Sequence, residues 1–377
     1  MNLKPPALSL PEFYTGLGLK VLMGLVYGYI FLHFYHGDDT WRIHQESLNE
    51  TKILLNNPAL FFTEQYTPFF AIEQATSFIK FASVLTNDLE YALLVKTLAF
   101  FNLISQGNYY INVFLFNLIL FWGHYWLFLL LKELFPGSRK QLYGVIFLFL
   151  PAVFWLSGIR ADGLLFFFLS LFLLNIHRKK IFLTIIGLAG TIIFRPQFGV
   201  LTMLTAIPYL LSLKIKKNPL IIFLISYMLA IIVCFITGLQ QFVVNNQHQF
   251  LALKGTRFEL PALQPGISSF AALFPLALNH VFLRPYPWEA ASALQLFYAL
   301  EIIFFWIIIV FAIIKRREDW KLRLFNPVIL MILFLAISSC ILTGYIVPFP
   351  GAIARYRIIP ELLLLAVATG NINYKKT

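Results

Sequence analysis

The feature that most constrains this chain is a series of apolar segments that recurs along nearly its whole length. A helix that crosses a bilayer needs about 20 mostly apolar residues. Charged residues make up 12% of the chain, against about a quarter of a typical soluble domain. We therefore predict an all-α polytopic membrane protein that forms a single transmembrane domain over residues 1–377. About ten candidate spans are present, at 13–35, 108–131, 141–158, 163–176, 181–194, 197–213, 219–242, 290–314, 325–347 and 357–371.

Lysine and arginine predict the orientation, because cytoplasmic loops of membrane proteins are enriched in them. If the N-terminus is cytoplasmic and the helices alternate, the basic clusters all face inward. Those inner loops then hold only three acidic residues, Glu133, Glu318 and Asp319. We predict a multi-pass protein of the cytoplasmic (inner) membrane with both termini cytoplasmic. The inner loops are Lys132–Lys140, His177–Lys180, Lys214–Lys217, Lys315–Arg323 and the tail Lys375–Lys376.

Composition also excludes several classes of function. The net charge of +12 resides in short clusters between apolar segments, so we interpret it as loop charge and not as a nucleic-acid surface. Both cysteines, Cys234 and Cys340, fall inside apolar segments, which argues against a disulfide framework or a cysteine metal site. The first apolar segment has no small-residue cleavage site after it, so we expect a retained helix and not a removed signal peptide.

Two long outer regions follow from this topology. Residues 36–107 form the first, and residues 243–289 form the second, which includes the motif Phe282–Glu289, FLRPYPWE. Residues 88–107 are apolar enough to suggest a further span, but a span there would move four later basic loops to the outside. We therefore predict amphipathic helices that lie on the membrane within 36–107, with the lysines on their polar faces.

The outer face collects a group of charged residues around an acidic pair. Asp38 and Asp39 lie in His36–Glu46, just after the first span. Ordinary explanations remain open, since a solvated helix end, a local ion pair or lipid-headgroup contacts also place charges there. Mid-helix Glu301 is a further functional candidate, unless it simply pairs with Lys20. The candidate substrate-binding residues are Arg42, Arg160, Asp162, Arg195, Arg284, Glu289, Arg355 and Arg357.

The compartment narrows the chemistry of such a site. Nucleotide sugars and ATP are normally absent outside the cytoplasmic membrane, so a transferase there needs an activated donor that is already in the membrane. A polyprenyl-phosphate sugar meets that need. Arginine forks suit its phosphate, and a carboxylate such as Asp38 or Asp39 could take the proton of an acceptor hydroxyl.

The order of these motifs resembles the GT-C superfamily of polyprenyl-phosphate-sugar glycosyltransferases, which includes protein O-mannosyltransferases and lipid A aminoarabinose transferases. The acidic pair follows the first helix, and a helix hairpin closed by GIRADG (158–163), a helix end FRP (194–196) and an outer RYR (355–357) come later. The runs SQGNYYIN (105–112) and FLRPYPWE also resemble membrane proteins of bacterial surface-polysaccharide clusters.

The resemblance implies a GT-C-like fold and a catalytic base in the first outer loop, which corresponds to Asp38 or Asp39. The family often has Asp-Glu where this chain has Asp38–Asp39. A second acidic metal motif of the oligosaccharyltransferase type is not evident in the sequence. Metal use is therefore left open, with Mg²⁺ or Mn²⁺ as the divalent cation to consider.

We expect an inverting glycosyltransferase that moves a sugar from a polyprenyl-phosphate donor to a lipid-linked or surface glycan acceptor. Its partners would be that donor, the glycan or lipid acceptor and membrane lipids, with no nucleic acid. One alternative is an oligosaccharide repeat-unit polymerase or ligase, whose large outer loop usually falls late in the chain, as 243–289 does. A lipid flippase or transporter ranks last, because such folds place polar groups near the midplane, where this chain has few.

Overall fold

The computed structural model describes residues 7–64, 78–315 and 319–371, and all regular secondary structure in these ranges is helical. Glu318 and the predicted tail Lys375–Lys376 lie outside them. The chain divides into two compact units. Unit 1 comprises Met1–Glu133 and Ile146–Val200, and unit 2 comprises Leu134–Val145 and Leu201–Thr377.

Ten helices are described up to the end of unit 1, and two of them, Arg139–Phe147 and Pro196–Lys214, cross the division between the units. The ten helices are α1 (Leu10–His33), α2 (Asp39–Asn56), α3 (Pro58–Thr63), α4 (Phe78–Ser105), α5 (Tyr109–Leu134), α6 (Arg139–Phe147), α7 (Leu150–Trp155), α8 (Ala161–His177), α9 (Ile181–Phe194) and α10 (Pro196–Lys214).

The helices of unit 2 pack around α16 (Pro327–Ile346), which lies against α13 and α17, while α14 packs on α17. The core between them is apolar and includes Val281, Cys340 and Ile353. These helices are α11 (Pro219–Ile236), α12 (Gln240–Ala252), α13 (Ile267–Phe282), α14 (Ala293–Lys315), α15 (Asp319–Leu324), α16 (Pro327–Ile346) and α17 (Pro350–Thr369).

Six helices among the described residues are long and apolar enough to cross a membrane: α1, α5, α10, α11, α14 and α16. Three further apolar helices, α8, α9 and α13, are shorter. The prediction of an all-helical, multi-pass membrane protein is therefore confirmed by the helix content and by these six helices. Helix α4 covers the segment that the charge pattern predicts to lie on the membrane surface. It runs for 28 residues without a break and packs along α2. It is not among the six.

Two predicted boundaries are wrong, and proline explains both. Residues 141–158 are not one helix, because α6 ends at Phe147 and α7 begins at Leu150 with Pro151 in its first turn. Proline lacks the amide hydrogen that a continuous helix requires. The predicted last span, 357–371, begins too late, since α17 already begins at Pro350, with proline in its first turn. The predicted loop 243–289 also contains α13, a helix that the charge pattern did not reveal.

Standard end signals fix α1 and α2, which carry the candidate site. Ser9 caps α1 in a capping box with Glu12, whose carboxylate accepts from the Ser9 amide at 2.7 Å. The chain then reverses through His36 and Gly37, with φ of 56° and 97°. This left-handed backbone is one that glycine adopts without strain. Asp38 follows at once as the N-cap of α2, accepting from the Thr40 amide at 3.0 Å.

Close helix packing brings α1 against α5 and the segment before α8. A Cβ on Gly24 would lie 2.7 Å from the Asn117 amide nitrogen and 2.8 Å from the Ser157 carbonyl oxygen. Small residues one turn apart let helices approach in this way in membrane proteins. The ammonium of Lys20 bonds the Leu156 carbonyl at 2.8 Å on the same side of α1.

Candidate functional site

Arg160 joins both carboxylates of the predicted acidic pair. Its Nη1 donates to Oδ2 of Asp38 at 2.7 Å, and its Nη2 donates to Oδ2 of Asp39 at 2.8 Å. The guanidinium is 9% exposed. Because Arg160 is the N-cap of α8 and Asp38 the N-cap of α2, two helix N-termini meet here, and their dipoles favour negative charge.

Asp38 is held from three directions. The Tyr27 hydroxyl donates to its Oδ2 at 3.0 Å, Arg160 donates to the same oxygen, and the Thr40 amide donates to Oδ1. Tyr27 comes from the last part of α1 and is fully buried. With each oxygen already accepting hydrogen bonds and a side chain only 13% exposed, Asp38 is fixed in place and largely covered.

Asp39, in contrast, is accessible. Its side chain is 54% exposed, and besides Arg160 its other oxygen lies 3.5 Å from Nη2 of Arg42, a side chain that is 65% exposed. The two adjacent carboxylates thus differ in environment: one is enclosed, and the other faces outward beside a solvated arginine.

A second arginine links further acidic groups to this cluster. Arg195 donates from Nη2 to Oδ1 of Asp162 at 3.3 Å, and its Nη1 lies 3.6 Å from Oε1 of Glu90. Asp162 stands in the first turn of α8 and its Oδ2 is 3.9 Å from Nε of Arg160. Arg195 occupies the break between α9 and α10, which Pro196 forces by starting the next helix.

The proton affinities of these groups diverge with their surroundings. Burial raises the pKa of Asp38, and Arg160, Tyr27 and Thr40 offset this only in part. Burial also acts on Asp39, but the hydrogen bond from Arg160 and the nearby arginine charges outweigh it and hold its pKa below the usual value. Burial raises the pKa of Glu90 to about 6, despite the opposing charge of Arg195. At neutral pH Asp39 is therefore fully ionised.

Aromatic side chains border the acidic pair. The Trp41 ring stacks on Tyr109 with centroids 3.8 Å apart at 17°, and its Nε1 donates to the Gly28 carbonyl at 3.0 Å. The Tyr109 hydroxyl lies 3.1 Å from the Thr40 hydroxyl. Tyr110 meets the edge of Trp41, and its side chain is partly exposed. This fixed group of rings begins at Trp41, two residues after Asp39.

Unit 1 has a different set of polar contacts at the other ends of its helices. Glu133, near the end of α5, pairs with Arg178 and lies 3.6 Å from Nε2 of His177 at the end of α8. Tyr109, the first residue of α5, is beside the acidic pair, about 36 Å away along the axis at 1.5 Å per residue. The acidic pair and the basic loop 177–180 therefore lie at opposite ends of this unit.

The remaining predicted site residues belong to unit 2. Arg284 and Glu289 pair with each other, with Nη2 and Oε1 2.5 Å apart, and Arg284 also stacks on Phe258 at 4.1 Å. Arg355 donates to the Tyr356 hydroxyl at 2.9 Å. Arg357 is 4% exposed and lies against Glu361 and Glu301, so Glu301 interacts with Arg357, while Lys20 bonds Leu156 in unit 1.

The structure thus brings six of the ten predicted residues into one cluster: Asp38, Asp39, Arg42, Arg160, Asp162 and Arg195. Sequence reasoning missed Glu90 and Tyr27. Glu90 offered no clear signal, since it is one of several charges in α4. Tyr27 lies eleven residues before Asp38 on an apolar helix, and nothing in the sequence marks which face of that helix it occupies.

Among residues 7–64, 78–315 and 319–371, no group of three or more His, Cys, Asp or Glu is arranged to hold a metal ion. The carboxylates near Asp38 face arginine donors instead. Comparison of the chain with protein-family models, curated proteins and solved structures gave no match. The geometry of the cluster is therefore the basis for assigning function.

Proposed function

We propose that the protein is a GT-C-like inverting glycosyltransferase that uses a polyprenyl-phosphate sugar on the outer face of the cytoplasmic membrane. The observation that carries the proposal is the exposed Asp39 carboxylate, held by Arg160 beside the enclosed Asp38 at a helix end. A general base needs an oxygen that the substrate can reach, and of the two carboxylates only Asp39 offers one that is largely exposed.

The proposed reaction is a single displacement. Asp39 removes the proton of the acceptor hydroxyl while the oxygen of that hydroxyl bonds to the anomeric carbon of the donor sugar. The bond between that carbon and the phosphate oxygen breaks on the opposite face, and the polyprenyl phosphate leaves with the electron pair. The configuration at the anomeric carbon inverts, and the proton remains on Asp39 until it passes to solvent.

Two arginines are suited to the leaving phosphate. Arg42 is largely exposed, and Arg195 is 27% exposed at the same end of unit 1. Arginine binds phosphate through its planar fork of donors. The Arg160 side chain is only 9% exposed and donates to two carboxylates, so we assign it a positioning role. Arg284, Glu289, Arg355 and Arg357 stay predictions as substrate-binding residues.

The topology that this proposal needs has ten crossings with both termini cytoplasmic. Support comes from unit 1, where Asp39, Arg160 and Arg195 share one end while Glu133 and Arg178 share the other. Helices α6 and α7 would then cross as one broken span. Helices α2 and α4 would lie on the outer side, and Trp41 and Tyr110 would offer rings for sugar stacking.

The test is transfer of labelled sugar in vesicles that contain the full-length protein, with a panel of polyprenyl-phosphate sugars as donors. We expect one donor to support transfer by the wild type, with a rate about 100-fold or more lower for Asp39→Asn. The matched control is Glu133→Gln, which removes a carboxylate that also pairs with an arginine but lies at the other end of α5. It should transfer at the wild-type rate.

The same variants in a deletion strain test the reaction in the cell. Loss of one defined sugar from the surface glycan, with accumulation of its lipid-linked donor, is the expected result. A glycan shortened to a single repeat unit would show a polymerase instead. Wild-type transfer by Asp39→Asn, or an unchanged glycan in the deletion strain, would overturn the proposal.

A further inference from the structure

Unit 2 contains a buried charged cluster to which the proposed displacement step assigns no role. Glu301 lies in the middle of the membrane-spanning helix α14, and Arg357 and Glu361 lie one turn apart on α17. All three side chains are at most 5% exposed. Charged groups inside a membrane protein are costly and are a functional candidate by default.

The contacts within this cluster are incomplete. Nε of Arg357 donates to Oε2 of Glu361 at 3.4 Å, and its Nη2 is 3.9 Å from Oε2 of Glu301. Neither Nη atom of Arg357 makes a hydrogen bond to any residue that the structure describes, and neither does Oε2 of Glu301. A buried donor without an acceptor is costly, so the Nη donors of Arg357 require a further acceptor.

A small cavity adjoins Arg357 and Glu361. Its volume is about 10 Å³, the space for one water molecule, and Arg357, Glu361 and Cys340 line it together with apolar side chains. The thiol of Cys340 on α16 also lines this cavity. Helix α13 contributes only Val281 and Phe282 to the cavity wall.

The charges around this cavity do not balance. Two carboxylates face one guanidinium, so the buried cluster would carry a net negative charge if both glutamates were ionised. Isolated buried charge is expensive, and two neighbouring carboxylates that share a site do not both ionise readily. One additional proton makes the cluster neutral. Both glutamates lie against the same guanidinium, with Oε2 of Glu361 3.4 Å from Nε and Oε2 of Glu301 3.9 Å from Nη2 of Arg357.

We propose that Glu301, Arg357 and Glu361 form an intramembrane binding site for a single proton. The proton is bonded to an oxygen of one glutamate and donated to the other, which stays ionised and paired with Arg357. A water molecule in the adjoining cavity accepts from the free Nη donors of Arg357. Binding here is independent of sugar transfer, so the site stands or falls separately from the proposed transferase.

The test uses dicyclohexylcarbodiimide, which reacts with protonated carboxyl groups in apolar surroundings. The full-length protein in lipid nanodiscs is treated near neutral pH, and peptides are mapped by mass spectrometry. We expect at most one adduct per molecule within the cluster, on Glu301 or on Glu361 but never on both. Asp162 provides an internal comparison, because it is as buried but lies near two arginines.

Single substitutions separate a shared proton from an ordinary buried acid. In Glu361→Gln the remaining carboxylate has Arg357 to itself, so labelling of Glu301 should fall about tenfold or more. Glu301→Gln should reduce labelling of Glu361 in the same way. Retained labelling in either variant, two adducts on one wild-type molecule, or none at all would overturn the proposal.

Sodium ions provide the last discrimination. If the site held sodium in place of a proton, labelling would fall as sodium chloride replaced choline chloride at constant ionic strength. Such protection would overturn the assignment of the ligand as a proton. The wild-type readouts, one adduct per molecule and no protection by sodium, are made on a protein with no substitution, so they do not depend on how well the glutamine variants fold.

Discussion

Nη1 of Arg160 donates to Oδ2 of Asp38 at 2.7 Å across 122 positions of the chain. The contact ties the start of α8 to the turn that ends α1, and both side chains are largely withdrawn from solvent. Removing one partner of a buried ion pair leaves the other uncompensated. Arg160 is therefore central to both the fold of unit 1 and the geometry of the acidic pair.

Arg160→Ala should destabilise the protein strongly. It leaves Asp38 without its cation and removes a donor to Asp39, and breaking a buried pair typically costs about 3–5 kcal/mol. Thermal unfolding in detergent, compared with the wild type, measures the loss. Arg42→Ala is the control, because its side chain is 65% exposed and such substitutions change stability by about 0.5 kcal/mol or less. Equal losses in the two variants would contradict this role for Arg160.

Replacing each aspartate should separate catalysis from positioning. Asp39→Asn removes the proposed base and should lower the transfer rate by about 100- to 10,000-fold, with little change in unfolding temperature. Asp38→Asn keeps an N-cap side chain but weakens the hydrogen bonds from Tyr27 and Arg160. Unlike that of Asp39→Asn, its unfolding temperature should therefore fall. The pair of readouts is the test, and the assignment fails if Asp38→Asn alone abolishes transfer without loss of stability.

Glu90 should make stability depend on pH between about 4.5 and 6. Its pKa is raised to about 6 from 4.5, so the unfolded chain releases this proton first. The contribution of Glu90 to the free energy of unfolding is then greatest below about pH 4.5 and is lost as the pH rises through about 6. The loss is about 2 kcal/mol at 1.36 kcal/mol per pKa unit.

The variant Glu90→Gln isolates this contribution from the other carboxylates. It should match the wild type at pH values below about 4.5 and exceed its stability above about 6, because the neutral amide avoids the cost of ionisation. Thermal unfolding of both proteins over this range gives the difference directly. A difference that is constant with pH, or one that grows toward low pH, would contradict the expectation.

The sequence predicted the membership of the cluster better than its contacts. Basic loops indicate which helix ends share a side of the membrane, so Asp38, Arg160 and Arg195 could be placed together. Arg160 was expected to pair locally or to bind phosphate, yet its closest partners come from the α1–α2 turn. Such pairing depends on the packing of α1 against the start of α8, which hydropathy does not encode.

The predicted helix boundaries were wrong at two places where a proline marks the start of a helix. Pro151 and Pro350 each stand in the first turn of a helix, a position that proline favours. Hydropathy alone predicted one continuous helix over 141–158 and placed the start of the last helix at residue 357, seven residues after its observed start. Glu90 was not predicted as a site residue for a different reason. Helix α4 is long and carries several charges, and only its packing decides which of them reaches Arg195.

Close packing of α1 gives the last prediction. A Cβ on Gly28 would fall well inside contact distance of the Tyr109 ring, whereas one on Gly18 would meet nothing within 4 Å. Overpacking typically costs about 1–3 kcal/mol, and Tyr109 cannot yield easily because it stacks on Trp41 and lies beside Thr40. Gly28→Ala should therefore lower both the unfolding temperature and sugar transfer, since Thr40 adjoins Asp39. Gly18→Ala should leave both unchanged, and equal effects of the two substitutions would show that helix propensity, not contact with Tyr109, governs this face.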